Sequence, residues 1–212
     1  MEKKVMSEPA HDFSDIQLAV IGGSGFYAMP GLEEVQKMQI ETPYGLPSAP
    51  IISGKLLDQR IVFLARHGEN HQLLPSEIPQ QANIWALKSL GVDRIIAVSA
   101  VGSLRQDYKP EDLVVPDQLI DRTSGNRPAS FFGNGIVAHV SMAEPFCKVL
   151  REDIIEAITA TKENSHNTGT YICIEGPAFG TIAESHLYQK WGASLVGMTG
   201  LPEAKLAREA EI

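Results

Sequence analysis

Apolar residues occur in two patterns along the 212-residue chain, and each pattern predicts one type of secondary structure. Short apolar runs predict strands at residues 17–21, 32–40, 51–54, 60–65, 94–101, 111–120, 171–174 and 193–198. Apolar positions at helical spacing predict helices at residues 79–90, 181–191 and 202–211, and a long helix that starts at Pro145. Strands and helices therefore alternate along the chain.

This alternation predicts an α/β fold, a three-layer α/β/α sandwich with a central mixed sheet. Residues 94–101 form the most strand-like run, and their composition predicts a strand that is buried on both faces. Residues 15–212 are expected to form a single domain, because no repeat, low-complexity tract or linker interrupts them. The polar residues 1–14 are expected to be a flexible tail.

Composition narrows the class of protein. The formal net charge of −8, with no basic stripe along the sequence, argues against a nucleic-acid partner. No apolar run approaches the ~20 residues of a membrane span, and residues 1–10 lack the pattern of a signal peptide. Cys147 and Cys173 have no metal-ligand spacing and are typical of reduced core residues, so we expect a cytoplasmic protein.

A glycine-dense turn, IGGSG at residues 21–25, follows the first predicted strand. Glycines in such a turn leave backbone amides uncovered for an anion, and Ser24 adds a hydroxyl. Three interpretations fit: a dinucleotide-binding turn, a site for a smaller phosphate, or a tight turn with no ligand. Residues 29–31 (MPG) interrupt the helix that a dinucleotide site requires, but the turn alone does not decide among the three.

Hydrogen-bond donors follow the other predicted strands, whose carboxyl ends are expected to meet at one edge of the sheet. They are Arg66 and His67 after residues 60–65, Ser99 and the amide of Ala100 after residues 95–98, and Thr199 after residues 193–198. Each of them alone is more often a surface or structural residue than a ligand-binding one. Their convergence at one edge favours a binding site for a phosphate dianion.

A series of sequence blocks spans about residues 17–212. The blocks are IGGSG, LARHGENH, PSEIPQQANIWALKSLGV, SAVGSLR, DQLIDRT, RPASFF, MAEPFC, EGPAF, AES, WGASLVGMT and PEAKLAREAEI. In type and order they resemble the trimeric purine nucleoside phosphorylase family. The resemblance is closest to its 5'-methylthioadenosine and methylthioinosine phosphorylase branch, and it implies the same α/β/α fold.

The resemblance implies an enzyme, a pentosyltransferase that adds inorganic phosphate across the glycosidic bond of a purine nucleoside. The products are the free purine and a sugar 1-phosphate, and neither a metal ion nor an organic cofactor takes part. Inorganic phosphate is the co-substrate. By the resemblance, it would be held by Ser24, Arg66, His67, Ser99, Ala100 and Thr199.

The resemblance also implies a nucleoside site beside the phosphate. Met198 and Phe179 would line the pocket for the sugar and base, with Glu175 nearby, and Gly180 lies at a position linked to substrate specificity. His139 resembles a residue that a neighbouring subunit lends to the 5' end of the nucleoside, which implies a homotrimer.

Two departures from the family's pattern leave the choice of purine open. Where the methylthioadenosine branch usually has EGPRFSS, this chain has Ala178 in place of the arginine and Gly180 in place of a serine. Residues 197–204 (GMTGLPEA) are similar to relatives that prefer 6-oxopurines, whereas residues 127–147 favour methylthioadenosine. The alternative is therefore a phosphorylase for methylthioinosine, inosine or guanosine.

No catalytic residue is identified within the chain. In the family, an Asp or Asn that contacts the purine and assists its protonation follows a later strand, at a position that lies beyond Ile212. We therefore expect a chain truncated at its C-terminus, which retains phosphate binding and turns over slowly. A noncatalytic nucleoside-binding or assembly homologue is the alternative from another class.

Overall fold

The structure is a computed structural model and describes residues 16–23, 25, 29–125 and 127–212. The helices in these ranges are α1 (Gln80–Ser89), α2 (Lys148–Thr161), α3 (Ile182–Lys190) and α4 (Gly200–Glu209). The strands are β1 (Leu18–Gly22), β2 (Leu32–Met38), β3 (Ile51–Leu56), β4 (Gln59–Ala65), β5 (Arg94–Ala97), β6 (Gly102–Ser103), β7 (Leu113–Val114), β8 (Gln118–Arg122), β9 (Ser165–His166), β10 (Thr170–Ile174) and β11 (Leu195–Gly197). Within the described ranges, no helix combines the length and apolar character that crossing a membrane requires.

β1 lies inside a five-stranded sheet with the order β2-β3-β4-β1-β5. It pairs in parallel with β4 and β5, whereas β2, β3 and β4 are antiparallel neighbours. Helices α1 and α4 pack against this sheet in one apolar cluster, which includes Ile21, Leu64, Ile84, Leu87 and Leu206. The parallel pairing places the carboxyl ends of β1, β4 and β5 at the same edge of the sheet.

The second main sheet has four strands in the order β6-β11-β10-β8. β10 pairs in parallel with β8 and β11, and β6 is antiparallel to β11. Because side chains alternate along β10, Ile172 packs with Tyr188 of α3, whereas Tyr171 packs with Leu201 of α4. Helix α4 therefore contributes to the apolar clusters of both main sheets.

The α/β class and the mixed parallel and antiparallel pairing that the sequence predicts are confirmed. In the described residues, the strands are divided between the two main sheets and a small parallel pair formed by β7 and β9.

Residues 94–101 depart from the prediction of a strand buried on both faces. β5 covers only Arg94–Ala97, and β1 is its one partner among the described residues. Ile95 and Ile96 are half-buried, and Val98 is exposed. β5 is thus an edge strand of the described sheet, which explains why an apolar run is only partly covered.

The long helix and one cysteine also differ from their predictions. Helix α2 begins at Lys148 and not at Pro145, because Cys147 has extended backbone angles (φ −65°, ψ 117°). Cys147 is exposed, so its predicted place in the core is wrong, whereas Cys173 is buried as predicted.

Thr181 provides a test of local stability at the start of α3. Its Oγ1 accepts a hydrogen bond from the Glu184 amide at 3.1 Å, and the Glu184 carboxylate accepts one from the Thr181 amide at 2.7 Å. Thr181→Ala is expected to lower the free energy of unfolding by about 1 kcal/mol in urea denaturation, because a helix-capping acceptor is lost. Thr159→Ala, inside α2, is the control, and an equal loss there would contradict the capping effect.

Candidate active site

A cleft of about 740 Å³ opens where strands of the two main sheets end. β1, β4 and β5 approach it from the five-stranded sheet, and β10 and β11 approach it from the four-stranded sheet. The predicted site residues that line it are Arg66, His67, Ser99, Ala100, Phe179, Gly180, Met198 and Thr199. Residues far apart in the sequence are therefore brought together in one cleft.

The glycine turn borders the same cleft. Gly22 and Gly23 line it, and the Gly22 carbonyl accepts a hydrogen bond from the Arg66 amide at 3.0 Å. Ser24 lies outside the described residues, so its predicted contact with phosphate stays a prediction.

Arg66 is buried, and its guanidinium forms hydrogen bonds with three other residues. Its Nε and Nη2 donate to the Glu203 carboxylate at 2.8 and 3.1 Å. Nη1 donates to the Val98 carbonyl at 3.0 Å, and Nη2 also donates to the Ile21 carbonyl at 3.4 Å. Four of the five guanidinium N–H groups are therefore engaged within the protein, which leaves one on Nη1 for a ligand.

Glu203 is a site residue that the sequence analysis missed. Its side chain is 5% exposed beside an Arg66 side chain that is 3% exposed, so the two form a buried ion pair. Burial alone would lower the pKa of Arg66, but the Glu203 carboxylate outweighs it, and the pKa lies above its ordinary value. Because Glu203 balances the charge of Arg66, the pair adds little net positive charge to the cleft.

His67 lies beside Arg66 with one ring nitrogen engaged. Nδ1 is 2.8 Å from the Leu73 carbonyl oxygen, and the ring stacks on His71 with centroids 4.3 Å apart. Burial lowers the pKa of His67, and the charges of His71 and Arg66 act in the same direction, against the opposing effects of the Leu73 carbonyl and Glu203. The neutral imidazole is therefore favoured near neutral pH.

Tyr171 supports the residues that follow β11. Its phenol oxygen accepts hydrogen bonds from the amides of Thr199 and Gly200, each at 3.3 Å. Burial raises the pKa of Tyr171, so the phenol keeps its proton at neutral pH. The backbone at Thr199 is thereby held in place at the edge of the cleft.

Arg127 is a second residue that the sequence analysis did not select, although it belongs to the RPASFF block. Its buried guanidinium donates from Nη1 to the carbonyls of Met198 and Leu201 at 2.7 and 2.8 Å. It also donates from Nε to the Glu175 carboxylate at 3.0 Å and from Nη2 to the Glu175 carbonyl. Arg127 therefore ties the end of β10 to the end of β11 and the start of α4.

Glu175 has a structural partner in this arrangement and is not among the residues that line the cleft. Burial raises the pKa of its carboxyl, but hydrogen bonds from the Ser124 amide and from Arg127 outweigh it, so the pKa lies below its usual value. Glu175 is therefore ionised at neutral pH and anchors Arg127.

Not all of the predicted nucleoside-site residues line the cleft. Met198, Phe179 and Gly180 line the cleft, and the Phe179 side chain is 90% exposed to solvent at its border. His139 is exposed and is not a cleft residue of this chain. Its predicted role in a neighbouring subunit stays a prediction.

The cleft combines polar donors at strand ends with an apolar wall that includes Leu73, Val98, Val101 and Met198. Such a site, at the carboxyl edge of parallel strands, is typical of α/β proteins that bind small anionic or polar molecules. Comparison with known proteins makes the class specific: the family described as Phosphorylase superfamily matches residues 17–212. The chain belongs to this superfamily, which confirms the resemblance found in the sequence.

Individual relatives agree with this assignment. The chain is 54% identical over 195 residues to the S-methyl-5'-thioadenosine phosphorylase of Geobacter sulfurreducens, with 92% of this chain and 68% of the relative covered. It is 53% identical over 199 residues to the enzyme of the same name from Thermosynechococcus vestitus, at the same coverage.

Solved structures show the same relation. A methylthioadenosine phosphorylase from an Antarctic soil metagenomic library matches with a TM-score of 0.89 and 50% identity, over 92% of this chain and 68% of that chain. The apo methylthioadenosine phosphorylase of Schistosoma mansoni matches with a TM-score of 0.87 and 38% identity, over 92% of this chain and 76% of that chain.

Proposed function

We propose that this chain carries out phosphorolysis of the glycosidic bond of 5'-methylthioadenosine or a related purine nucleoside. The products are the free purine and 5-methylthioribose 1-phosphate, or the corresponding sugar 1-phosphate. Inorganic phosphate is the second substrate, and no metal ion or organic cofactor is required. The observation that carries the proposal is the cleft, in which hydrogen-bond donors lie next to an apolar wall. The chain that forms it is 54% identical to an S-methyl-5'-thioadenosine phosphorylase.

The geometry suits this reaction. A phosphate oxygen forms a bond to C1' as the bond between C1' and the purine nitrogen breaks, and the bonding electron pair leaves with the purine, which takes up a proton. Positive charge develops on the sugar, so an anion positioned by Ser99, Thr199, the Ala100 amide and Arg66 is both nucleophile and counter-charge. Met198 and Phe179 line the cleft and offer apolar surface to the sugar and purine.

We further propose a homotrimer that works in the cytoplasm. Its support is an aromatic group in which the exposed Tyr44 and Trp85 meet the half-buried Phe131, with ring centroids 5.4 to 6.5 Å apart. Val137 is 79% exposed close to His139 in sequence, as expected of a segment that a second subunit covers. Both cysteines are free thiols, which suits a reducing compartment.

Phosphate-dependent release of purine tests the proposed reaction. The chain, at a concentration comparable to that of the nucleoside so that slow turnover is detected, is mixed with 5'-methylthioadenosine with and without inorganic phosphate. We expect adenine and a sugar 1-phosphate only when phosphate is present. Faster release of hypoxanthine from methylthioinosine would favour the 6-oxopurine alternative, which the segment at residues 197–204 supports. Phosphate binding without release from any nucleoside would instead indicate a noncatalytic homologue.

A further inference from the structure

The hydrogen bond between His67 and Leu73 determines where the imidazole carries its proton. The Nδ1 atom of His67 is 2.8 Å from the Leu73 carbonyl oxygen. A carbonyl oxygen only accepts hydrogen bonds, so Nδ1 must be the donor and must carry the hydrogen. In the neutral ring, Nε2 is then left with a lone pair and can only accept.

Nε2 of His67 is available to a ligand. Within the described residues it has no hydrogen-bond partner, and the His67 ring lines the cleft beside Arg66 and Ser99. The neighbouring charged or titratable groups are Arg66, His71 and Glu203, and together with burial they leave the pKa of His67 below its ordinary value. At neutral pH the Nε2 atom of His67 therefore gives the cleft an acceptor that cannot act as a donor.

We propose that His67 is a specificity-determining residue, whose Nε2 accepts a hydrogen bond from the P–OH group of monohydrogen phosphate and thereby selects phosphate over sulfate. The proposal rests on the proposed function, in which inorganic phosphate occupies this cleft. The phosphate keeps its proton throughout, and no covalent bond forms or breaks in the recognition step.

The hydrogen-bond donors of the cleft do not separate the two anions. The Ala100 amide, the Ser99 and Thr199 hydroxyls and the remaining N–H of Arg66 all donate to an anionic oxygen, and both ligands are tetrahedral dianions of similar size above neutral pH. Only phosphate carries a hydrogen for an acceptor to receive. A sulfate oxygen would instead face the Nε2 lone pair, which leaves both without a hydrogen bond.

Sulfate binding should consequently depend on protonation of His67. Sulfate gains a donor only when Nε2 takes up a proton, so its affinity falls with rising pH, by up to about tenfold per pH unit between the pKa of His67 in the free protein and its higher pKa in the sulfate complex. Phosphate that is already monohydrogen phosphate needs no proton uptake. Its affinity should stay nearly constant over the same range.

Calorimetric titrations of the whole chain with inorganic phosphate and with sulfate test this inference, at constant ionic strength and at about pH 7.5 and about pH 8.5. We expect phosphate to bind on the order of ten- to a hundredfold more tightly than sulfate, with the preference larger at the higher pH. If phosphate binds but is not preferred over sulfate, or if the preference does not change with pH, this inference is overturned and the proposed function is not. No phosphate binding at either pH would overturn the proposed function as well.

Variants of His67 and of its neighbour His71 test whether the acceptor atom of His67 is responsible for the preference. His67→Gln offers either a donor or an acceptor, and His67→Phe keeps a ring for stacking on His71 but offers neither. In both, the preference is expected to fall below about threefold and to lose its pH dependence. His71→Gln is the matched control, since the His71 ring stacks on His67 but does not form the hydrogen bond with the Leu73 carbonyl, and it should keep the preference. Selectivity retained in both His67 variants would overturn the inference.

Discussion

Glu203→Gln is expected to lower the free energy of unfolding by about 3–5 kcal/mol, because it leaves Arg66 as a buried charge without its counter-charge. Gln can still accept a hydrogen bond, so the loss reflects charge more than shape. Urea denaturation monitored by tryptophan fluorescence measures it. The effect is large because both side chains are almost completely buried, so water cannot solvate the unpaired charge of Arg66.

An exposed ion pair provides the matched control for this substitution. Lys37 and Glu69 are 2.7 Å apart but are 55% and 46% exposed. Glu69→Gln is therefore expected to cost about 0–1 kcal/mol. Replacing both members of the buried pair, as in Arg66→Met with Glu203→Leu, should recover much of the stability lost by Glu203→Gln. A single-variant loss no larger than that of Glu69→Gln would show that Arg66 does not depend on its partner.

Arg127→Met is expected to reduce stability by a similar amount and to weaken nucleoside binding. The substitution removes the guanidinium donors from the buried carbonyl of Leu201 and the partly buried carbonyls of Met198 and Glu175, at about 1–3 kcal/mol for each group that is left buried and unsatisfied. Because Met198 lines the cleft, displacement of its backbone should raise the dissociation constant for the nucleoside more than that for inorganic phosphate. Denaturation and separate calorimetric titrations with the two ligands measure these effects.

Arg105→Met is the control for this prediction. Arg105 makes a two-point contact with Asp107 at 2.8 to 2.9 Å, but the pair is exposed, so its loss should change stability little. If Arg127→Met altered phosphate and nucleoside binding equally, its role would be general stability and not the placement of Met198.

The residues at strand ends were predictable because parallel strands bring their carboxyl ends to one edge. That rule applies to Arg66, His67 and Ser99 in the five-stranded sheet and to Thr199 in the four-stranded sheet, and all four line the cleft. The blocks of sequence that resemble the family then identified the class of protein. The individual roles of these residues remain proposals that the binding experiments address.

The partners of the buried arginines were not predictable in the same way. Arg66 and Glu203 are separated by 137 residues, and the three carbonyls bound by Arg127 have no side-chain signature at all. The tautomer of His67 depends on a loop carbonyl six residues away. For β5, composition indicates an apolar strand but not how many strands pair with it, so its half-exposed state required the structure.

The burial of the Arg66–Glu203 pair also determines how the cleft responds to dissolved salt. Mobile ions screen surface charges such as Lys37 and Glu69 within about 10 Å at moderate ionic strength, but they screen the buried pair between the end of β4 and α4 much less. A chain of net charge −8 changes its surface potential strongly between dilute and concentrated salt. The spacing between Arg66 and α4 should stay constant across that range, so the shape of the cleft should change little with the ionic strength of the medium around it.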